Sequence, residues 1–264
     1  MAGAPSHVRL NGVTRVYTGK PSGGVHALGP VDLELRAGEF FAVVGPSGCG
    51  KSTLLEMIAG LAPPTEGTVE FEGRRIGAGV PDGVGVVFQE NACFPWLTVA
   101  DNITFGLKRQ ALPADEVERR LQYALQLMNL QEFAKAYPAQ LSGGMRQRVC
   151  IARTLVTQPR LILLDEPFGA LDQQTRLLMG DELLRLWRAT GATVLLITHA
   201  LDEAALLADR VAVMSARPGR ILDVIETGWG ADRDSRIVSY PAFGAVTGKL
   251  WSLLRDQSLT ALNP

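Results

Sequence analysis

The sequence is poor in cysteine, with three in 264 residues. Cys49, Cys93 and Cys150 form no C-x-x-C pair and no even set, which excludes a disulfide framework and fits a reducing compartment. Long apolar runs are also missing. The longest stretch free of Asp, Glu, Lys and Arg, Ala189 to Leu201, is thirteen residues and is broken by Gly191. A spanning helix needs about eighteen or more apolar residues, so none is expected. The opening MAGAPSHVRL has neither the charged n-region nor the apolar h-region of a secretory signal. Nor does one sign of charge dominate: 26 Lys and Arg stand against 27 Asp and Glu, scattered along the chain. That argues against a surface for nucleic acid or anionic lipid. What remains, 47% hydrophobic and 20% charged residues, is a globular composition and not a disordered one. A cytoplasmic chain with one large domain is expected.

Two kinds of strand pattern are present. Residues 8–17 (VRLNGVTRVY), 31–36 (VDLELR) and 68–73 (TVEFEG) alternate apolar and polar, as half-buried antiparallel strands do. By contrast 40–44 (FFAVV), 161–165 (LILLD) and 193–198 (TVLLIT) are uninterrupted apolar runs, suited to a parallel sheet covered on both faces. Between them, from about Thr98 to Thr157, the period is helical, most clearly from Ala114 to Leu130 after Pro113. Strands at 211–216 and 220–226 follow, joined by the turn signal Arg217-Pro218-Gly219, and Phe243 to Leu254 reads as a closing helix.

Gly45-Pro46-Ser47-Gly48-Cys49-Gly50-Lys51-Ser52 matches G-x-x-x-x-G-K-[ST] between a buried strand and a helical segment. In such a loop glycines turn backbone N–H groups inward around phosphate oxygens, and the new helix points its positive end at them. Lys51 would reach the terminal phosphates and Ser52 would ligate Mg²⁺. The run ending in Asp165-Glu166 places two carboxylates at the same edge of a parallel sheet. Asp165 suits a Mg²⁺ ligand, direct or through water. Glu166 suits a general base for the attacking water. A second anion site is written at Leu141-Ser142-Gly143-Gly144, where a hydroxyl and bare N–H groups begin a helix.

Together these motifs resemble an ABC-transporter ATPase subunit over roughly residues 8–226. The resemblance implies an α/β fold: a P-loop NTPase core with a mainly parallel sheet, an N-terminal antiparallel β subdomain and an inserted α-helical subdomain. It implies one domain spanning 1–264, with the insert at about 92–158 and a tail from about 228. It implies an ATP-hydrolysing translocase using ATP and Mg²⁺, with Gly45 to Ser52 and Thr53 at the phosphates and metal. Ser142, Gly143 and Gly144 would cap ATP held by a second subunit in an ATP-dependent head-to-tail dimer. Gln89 matches the glutamine that senses Mg²⁺ and water, Asp172 the loop crossing the dimer interface, His199 the γ-phosphate contact, and Tyr17 the aromatic stacked on adenine. Met145 and Ala200 depart from the commoner family residues, at positions without an indispensable phosphate contact. Cys49 inside the loop would make the protein sensitive to thiol alkylation.

The segment Phe94-Pro95-Trp96, with Ala-Arg-Pro-Gly-Arg-Ile at 216–221, is similar to the nitrate, sulfonate and taurine importer branch. That implies multispanning membrane permease subunits, an extracytoplasmic solute-binding protein and a peripheral position on the cytoplasmic face of the bacterial inner membrane. Phe94, Pro95 and Trp96 would dock a permease helix, Trp96 packing beneath the helical block being the other reading. A soluble ABC ATPase of repair or cofactor assembly is the alternative, although repair members insert long coiled coils. A P-loop kinase or GTPase would account for Lys51 and Asp165 but not for Ser142, Gln89 and His199 together.

Overall fold

The three uninterrupted apolar runs are neighbouring parallel strands in a computed structural model that describes residues 6–18, 24–89, 92–169 and 171–262. Strand β3 (Phe40–Val44) pairs with β8 (Thr193–Thr198), and β8 with β7 (Leu161–Asp165). With β6 (Val84–Val87), β9 (Arg210–Met214) and β10 (Ile221–Glu226) they make a six-stranded sheet ordered β10-β9-β3-β8-β7-β6. Only β10 runs antiparallel to its neighbour. Phe40, Ala42 and Val44 belong to one hydrophobic cluster, and Phe41 and Val43 to another. Because both faces are covered, neither selects for polar side chains, and the period-two signal disappears.

The second sheet is antiparallel, ordered β2-β1-β4-β5, from β1 (Ser6–Tyr17), β2 (Val25–Arg36), β4 (Glu66–Phe71) and the two-residue β5 (Arg74–Arg75). Here alternation survives: Val8, Leu10, Leu33 and Leu35 are buried, whereas Arg9 and Glu34 are exposed. The buried set packs against helix α1 (Lys51–Ile58), which fills the space between the two sheets.

Between β6 and β7 the described chain is helical: α2 (Val99–Thr104), α3 (Ala114–Leu127) and α4 (Gly143–Leu155), with 3₁₀ turns between them. Helix α3 stops at Leu127, before the expected Leu130, because Asn129 turns left-handed at φ 53°. There Leu130 donates its N–H to the Leu125 carbonyl at 2.9 Å, closing the helix end, and its side chain still enters the core. Helices α5 (Gln173–Thr190) and α6 (Leu201–Leu207) follow β7 and β8. The closing helix α7 (Pro241–Leu262) is longer than its apolar pattern predicts, and it buries Phe243, Leu250 and Leu254 in the core against α6 and β9. No helix among the described residues is long and apolar enough to cross a membrane.

Sheet order has one consequence for chemistry. The carboxyl ends of β3, β8, β7 and β6 stand side by side, so the residues that follow them share one edge.

Candidate active site

Strand β3 ends at Val44, and the next residues turn to start α1 at Lys51. The turn needs its glycines: Gly48 and Gly50 sit at φ 73° and 109°. A Cβ on Gly50 would lie 2.7 Å from Leu28 Cδ2 and 2.9 Å from the Ala27 carbonyl oxygen. Gly50 gives α1 no side-chain cap, so the first N–H groups of the helix are left for an anion. The Lys51 ammonium, buried at this turn, donates to the carbonyls of Gly45 at 2.9 Å and Pro46 at 3.0 Å. Arg217 clasps the loop from outside, its Nε and Nη2 donating to the Gly48 carbonyl at 3.1 and 3.0 Å. The sequence marks Arg217 as part of a turn signal and of the 216–221 segment, and not as a contact of this loop. The Cys49 thiol is buried and pushed up by that burial, which runs against the alkylation sensitivity expected of it.

Two strands over, beyond β8, Asp165 ends β7 in a buried position. It is hydrogen-bonded with the Ser52 side chain, while its Oδ1 is buried with no partner among the described residues. Burial raises the Asp165 carboxyl above its ordinary range, and the Ser52 bond opposes that; the Glu166 charge adds to the rise, and Lys51 counters it. Glu166 leaves the strand at φ 46°, a left-handed turn that costs a non-glycine residue energy and is typical of functional sites. The turn swings its carboxylate sideways, between two neighbours from the adjacent strands. Gln89, two residues past β6, donates Nε2 to Glu166 Oε2 at 3.1 Å. His199, one residue past β8, brings Nδ1 within 3.2 Å of the same oxygen. The Nδ1 side of the exposed His199 ring is thus committed to the Glu166 carboxylate.

Tyr17, the last residue of β1, places its hydroxyl 3.3 Å from Thr53 Oγ1 in the first turn of α1, with the Arg15 guanidinium 4.7 Å from its ring centre. Behind His199 lies Glu203, also missed in the sequence because an acid in the first turn of a helix reads as a partner for the helix dipole. Thr198 donates to its Oε2, and its Oε1 has no partner among the described residues. Burial pushes the Glu203 carboxyl up to about 7, against the opposing pull of Thr198, Arg176 and His199.

Two predicted groups stay apart from this cluster within one chain. Ser142 caps α4, its Oγ accepting the Met145 N–H at 3.2 Å, and the exposed hydroxyl makes no bond to residues 45–53 among the described residues. Asp172 caps α5, accepting the Thr175 N–H at 3.0 Å and its hydroxyl at 2.6 Å; those bonds hold the carboxyl below the usual range. The two groups are neighbours, since a Cβ on Gly144 would lie 3.9 Å from Leu171 Cδ2. Ala170, within the same loop, lies outside the described residues, as do Glu90 and Asn91.

The donors fit a hard divalent cation bound together with phosphate. Among the described residues no three His, Cys, Asp or Glu side chains form a closed metal cluster. An orphaned buried Asp165 oxygen beside the Ser52 hydroxyl is instead the open set that Mg²⁺ takes when waters and phosphates supply the rest.

A glycine turn that frees helix N–H groups, with a lysine and an acidic strand end beside it, defines a P-loop nucleotide-binding protein. The ABC transporter family model matches residues 28–169. Among relatives, an uncharacterised ABC transporter ATP-binding protein of Methanocaldococcus jannaschii is 44% identical over 238 residues, 90% of this chain and 88% of that protein. The nitrate import ATP-binding protein NrtD of Synechocystis is 42% identical over 257 residues, 95% of this chain and 96% of that protein. The taurine import ATP-binding protein TauB of Roseobacter denitrificans is 43% identical, covering 88% of each chain. A solved dimeric ATP-binding cassette in a post-hydrolysis state with ADP and Pi superposes with a TM-score of 0.74 at 33% identity, covering 84% of this chain and all of that one. The chain belongs to the ABC transporter family, as an ATP-binding subunit that hydrolyses ATP to drive transport.

Proposed function

We propose that this chain energises uptake of a small anionic solute, of the nitrate, sulfonate or taurine kind, through separate membrane permease subunits fed by an extracytoplasmic binding protein. The names of the nitrate and taurine import relatives support the solute class. The chain then sits peripherally on the cytoplasmic face of the bacterial inner membrane, as one domain over 1–264 whose residues 92–158 form an inserted helical subdomain.

The observation that carries the mechanism is Glu166, held between Gln89 and His199 beside the loop that Lys51 closes. In this reading the backbone N–H groups from Gly45 to Ser52, with Thr53, bind the phosphates of ATP, and Tyr17 stacks on adenine. The Lys51 ammonium exchanges two loop carbonyls for terminal phosphate oxygens, a stronger, charge-assisted pairing. Ser52, Asp165 and Gln89 would hold Mg²⁺, which when bound would neutralise charge developing on the phosphates. Glu166 takes a proton from the attacking water at its carboxylate, and His199, held at Nδ1 by Glu166, contacts the γ-phosphate. Ser142, Gly143 and Gly144 of a second copy complete the site, with Asp172 at the junction. The dimeric form of the solved cassette supports that arrangement.

Uptake of labelled nitrate, taurine and an alkanesulfonate by cells with and without the gene tests the solute class. Loss of uptake of one of them, restored by the wild-type gene and not by Glu166→Gln, is expected. Unchanged uptake of all three overturns the assignment.

A further inference from the structure

Cys93 and Cys150 belong to none of the motifs above. Cys93 is half-buried on the segment that leads from Gln89 to α2, and Cys150 is buried on α4, the helix headed by Ser142. Their sulfurs are 3.5 Å apart, in contact as free thiols. Arg153 reaches the Cys150 sulfur at 3.8 Å, and the Ala92 N–H points at the same atom. The hydrogen bond from Cys93, helped by the Arg153 charge and the Ala92 N–H, outweighs burial and brings the Cys150 thiol down to about 7. The same hydrogen bond and burial push the Cys93 thiol up. A thiolate formed in this pair is hydrogen-bonded by the neighbouring thiol and faced by the Arg153 guanidinium.

We propose that Cys93 and Cys150 are an oxidisable dithiol whose disulfide ties the Gln89 segment to α4 and lowers ATP turnover. Hydrogen peroxide is the oxidant. The Cys150 thiolate attacks the peroxide O–O bond and gains one oxygen as a sulfenic acid, while the departing hydroxide takes up a proton to become water. Cys93 Sγ then attacks the Cys150 sulfur. The S–S bond forms, the S–O bond breaks, and hydroxide leaves with the Cys93 proton as a second water. Two thiols and one peroxide thus give one disulfide and two waters. Bond formation draws the sulfurs from 3.5 Å to about 2.05 Å, so the two segments close up and lose their freedom to separate. Gln89 on one segment donates to Glu166, and Ser142 heads the other, so both sides of the nucleotide site feel the tie.

The full chain is treated with hydrogen peroxide, remaining thiols are blocked, and the digest is read by mass spectrometry alongside ATP turnover. Expected are a linked Cys93–Cys150 peptide, lighter by two hydrogen atoms than the reduced pair, and a fall in turnover of about fivefold or more. Dithiothreitol restores both. Cys93→Ser and Cys150→Ala, made separately, each abolish the linked peptide and the reversible loss; Cys93→Ser, at the more open position, stands if Cys150→Ala does not fold. A digest without the linked peptide overturns the site. A linked peptide with unchanged turnover, or a loss that persists in Cys93→Ser, overturns its control of turnover. The mass readout is independent of the ATPase reading, so a chain inactive before oxidation counts against that reading and not against the dithiol.

Discussion

Gln89 and Glu166, 77 residues apart in sequence, meet through a single hydrogen bond, Nε2 to Oε2 at 3.1 Å. They stand at the ends of adjacent parallel strands, β6 and β7, so the sheet itself sets their spacing. The segment that follows Gln89 carries Phe94 packed on Phe105, with ring centres 4.5 Å apart, and Trp96 standing 71% exposed. A partner pressing on those rings pushes on the same short segment that holds the donor to Glu166. Four expectations extend from this site.

Lys51→Ala should abolish tight ATP binding and hydrolysis, because no other described cation donates to the turn in the place its ammonium occupies. The fold should survive. Two hydrogen bonds to loop carbonyls are lost, a cost of about 1–3 kcal/mol. Nucleotide titration and thermal melting check both halves, and near-normal turnover in the variant would remove the phosphate role of Lys51.

Glu166→Gln keeps the shape of the side chain at its left-handed turn but cannot accept a proton from water. Turnover should drop by about two to four orders of magnitude while ATP still binds. With hydrolysis stalled, ATP should hold two chains together, if the Ser142 segment that caps α4 completes the site of a second copy. Sizing chromatography with ATP reads this directly: a variant monomeric at every concentration argues against a shared site.

Trp96→Ala should leave the isolated subunit's melting temperature nearly unchanged, within about 0.5 kcal/mol, since 71% of the residue is already in water. That exposure decides against Trp96 packing beneath the helical block. Assembly with the permease subunits, or the coupling of hydrolysis to uptake, should weaken instead. A clearly destabilised variant that still assembles and transports would end the docking role.

Glu203 makes stability fall as pH rises. Its carboxyl titrates near its ordinary 4.5 in the unfolded chain and at about 7 in the folded one. Between those values the folded chain holds a proton that the unfolded chain has lost, so the stabilisation present below pH 4.5 is lost through pH 7, by about 3 kcal/mol in all. Glu203→Gln keeps an acceptor for the Thr198 hydroxyl and never ionises. Melting curves from pH 5 to 8.5 should therefore decline for the wild type and flatten for the variant; parallel curves would show that Glu203 is ionised throughout.

Local sequence determined the strands, the phosphate turn and most helix positions, because each rests on neighbours within a few residues. FFAVV, LILLD and TVLLIT occupy the strands their apolar runs predict, and Gly48 and Gly50 are glycines because the turn takes them to φ 73° and 109°. The α3 boundary was blurred because Leu130 is as apolar as a helical residue yet follows a left-handed Asn129. Only the tertiary structure decided what depends on strand order and burial. The meeting of Gln89, Glu166 and His199 needs β6, β7 and β8 side by side, the grip of Arg217 on Gly48 needs the turn after β9 folded back over the loop, and the contact of Cys93 with Cys150 needs α4 packed behind the Gln89 segment. The raised carboxyls of Asp165 and Glu203 follow the same rule, since loss of water around a group is a property of everything packed on it and of no residue alone.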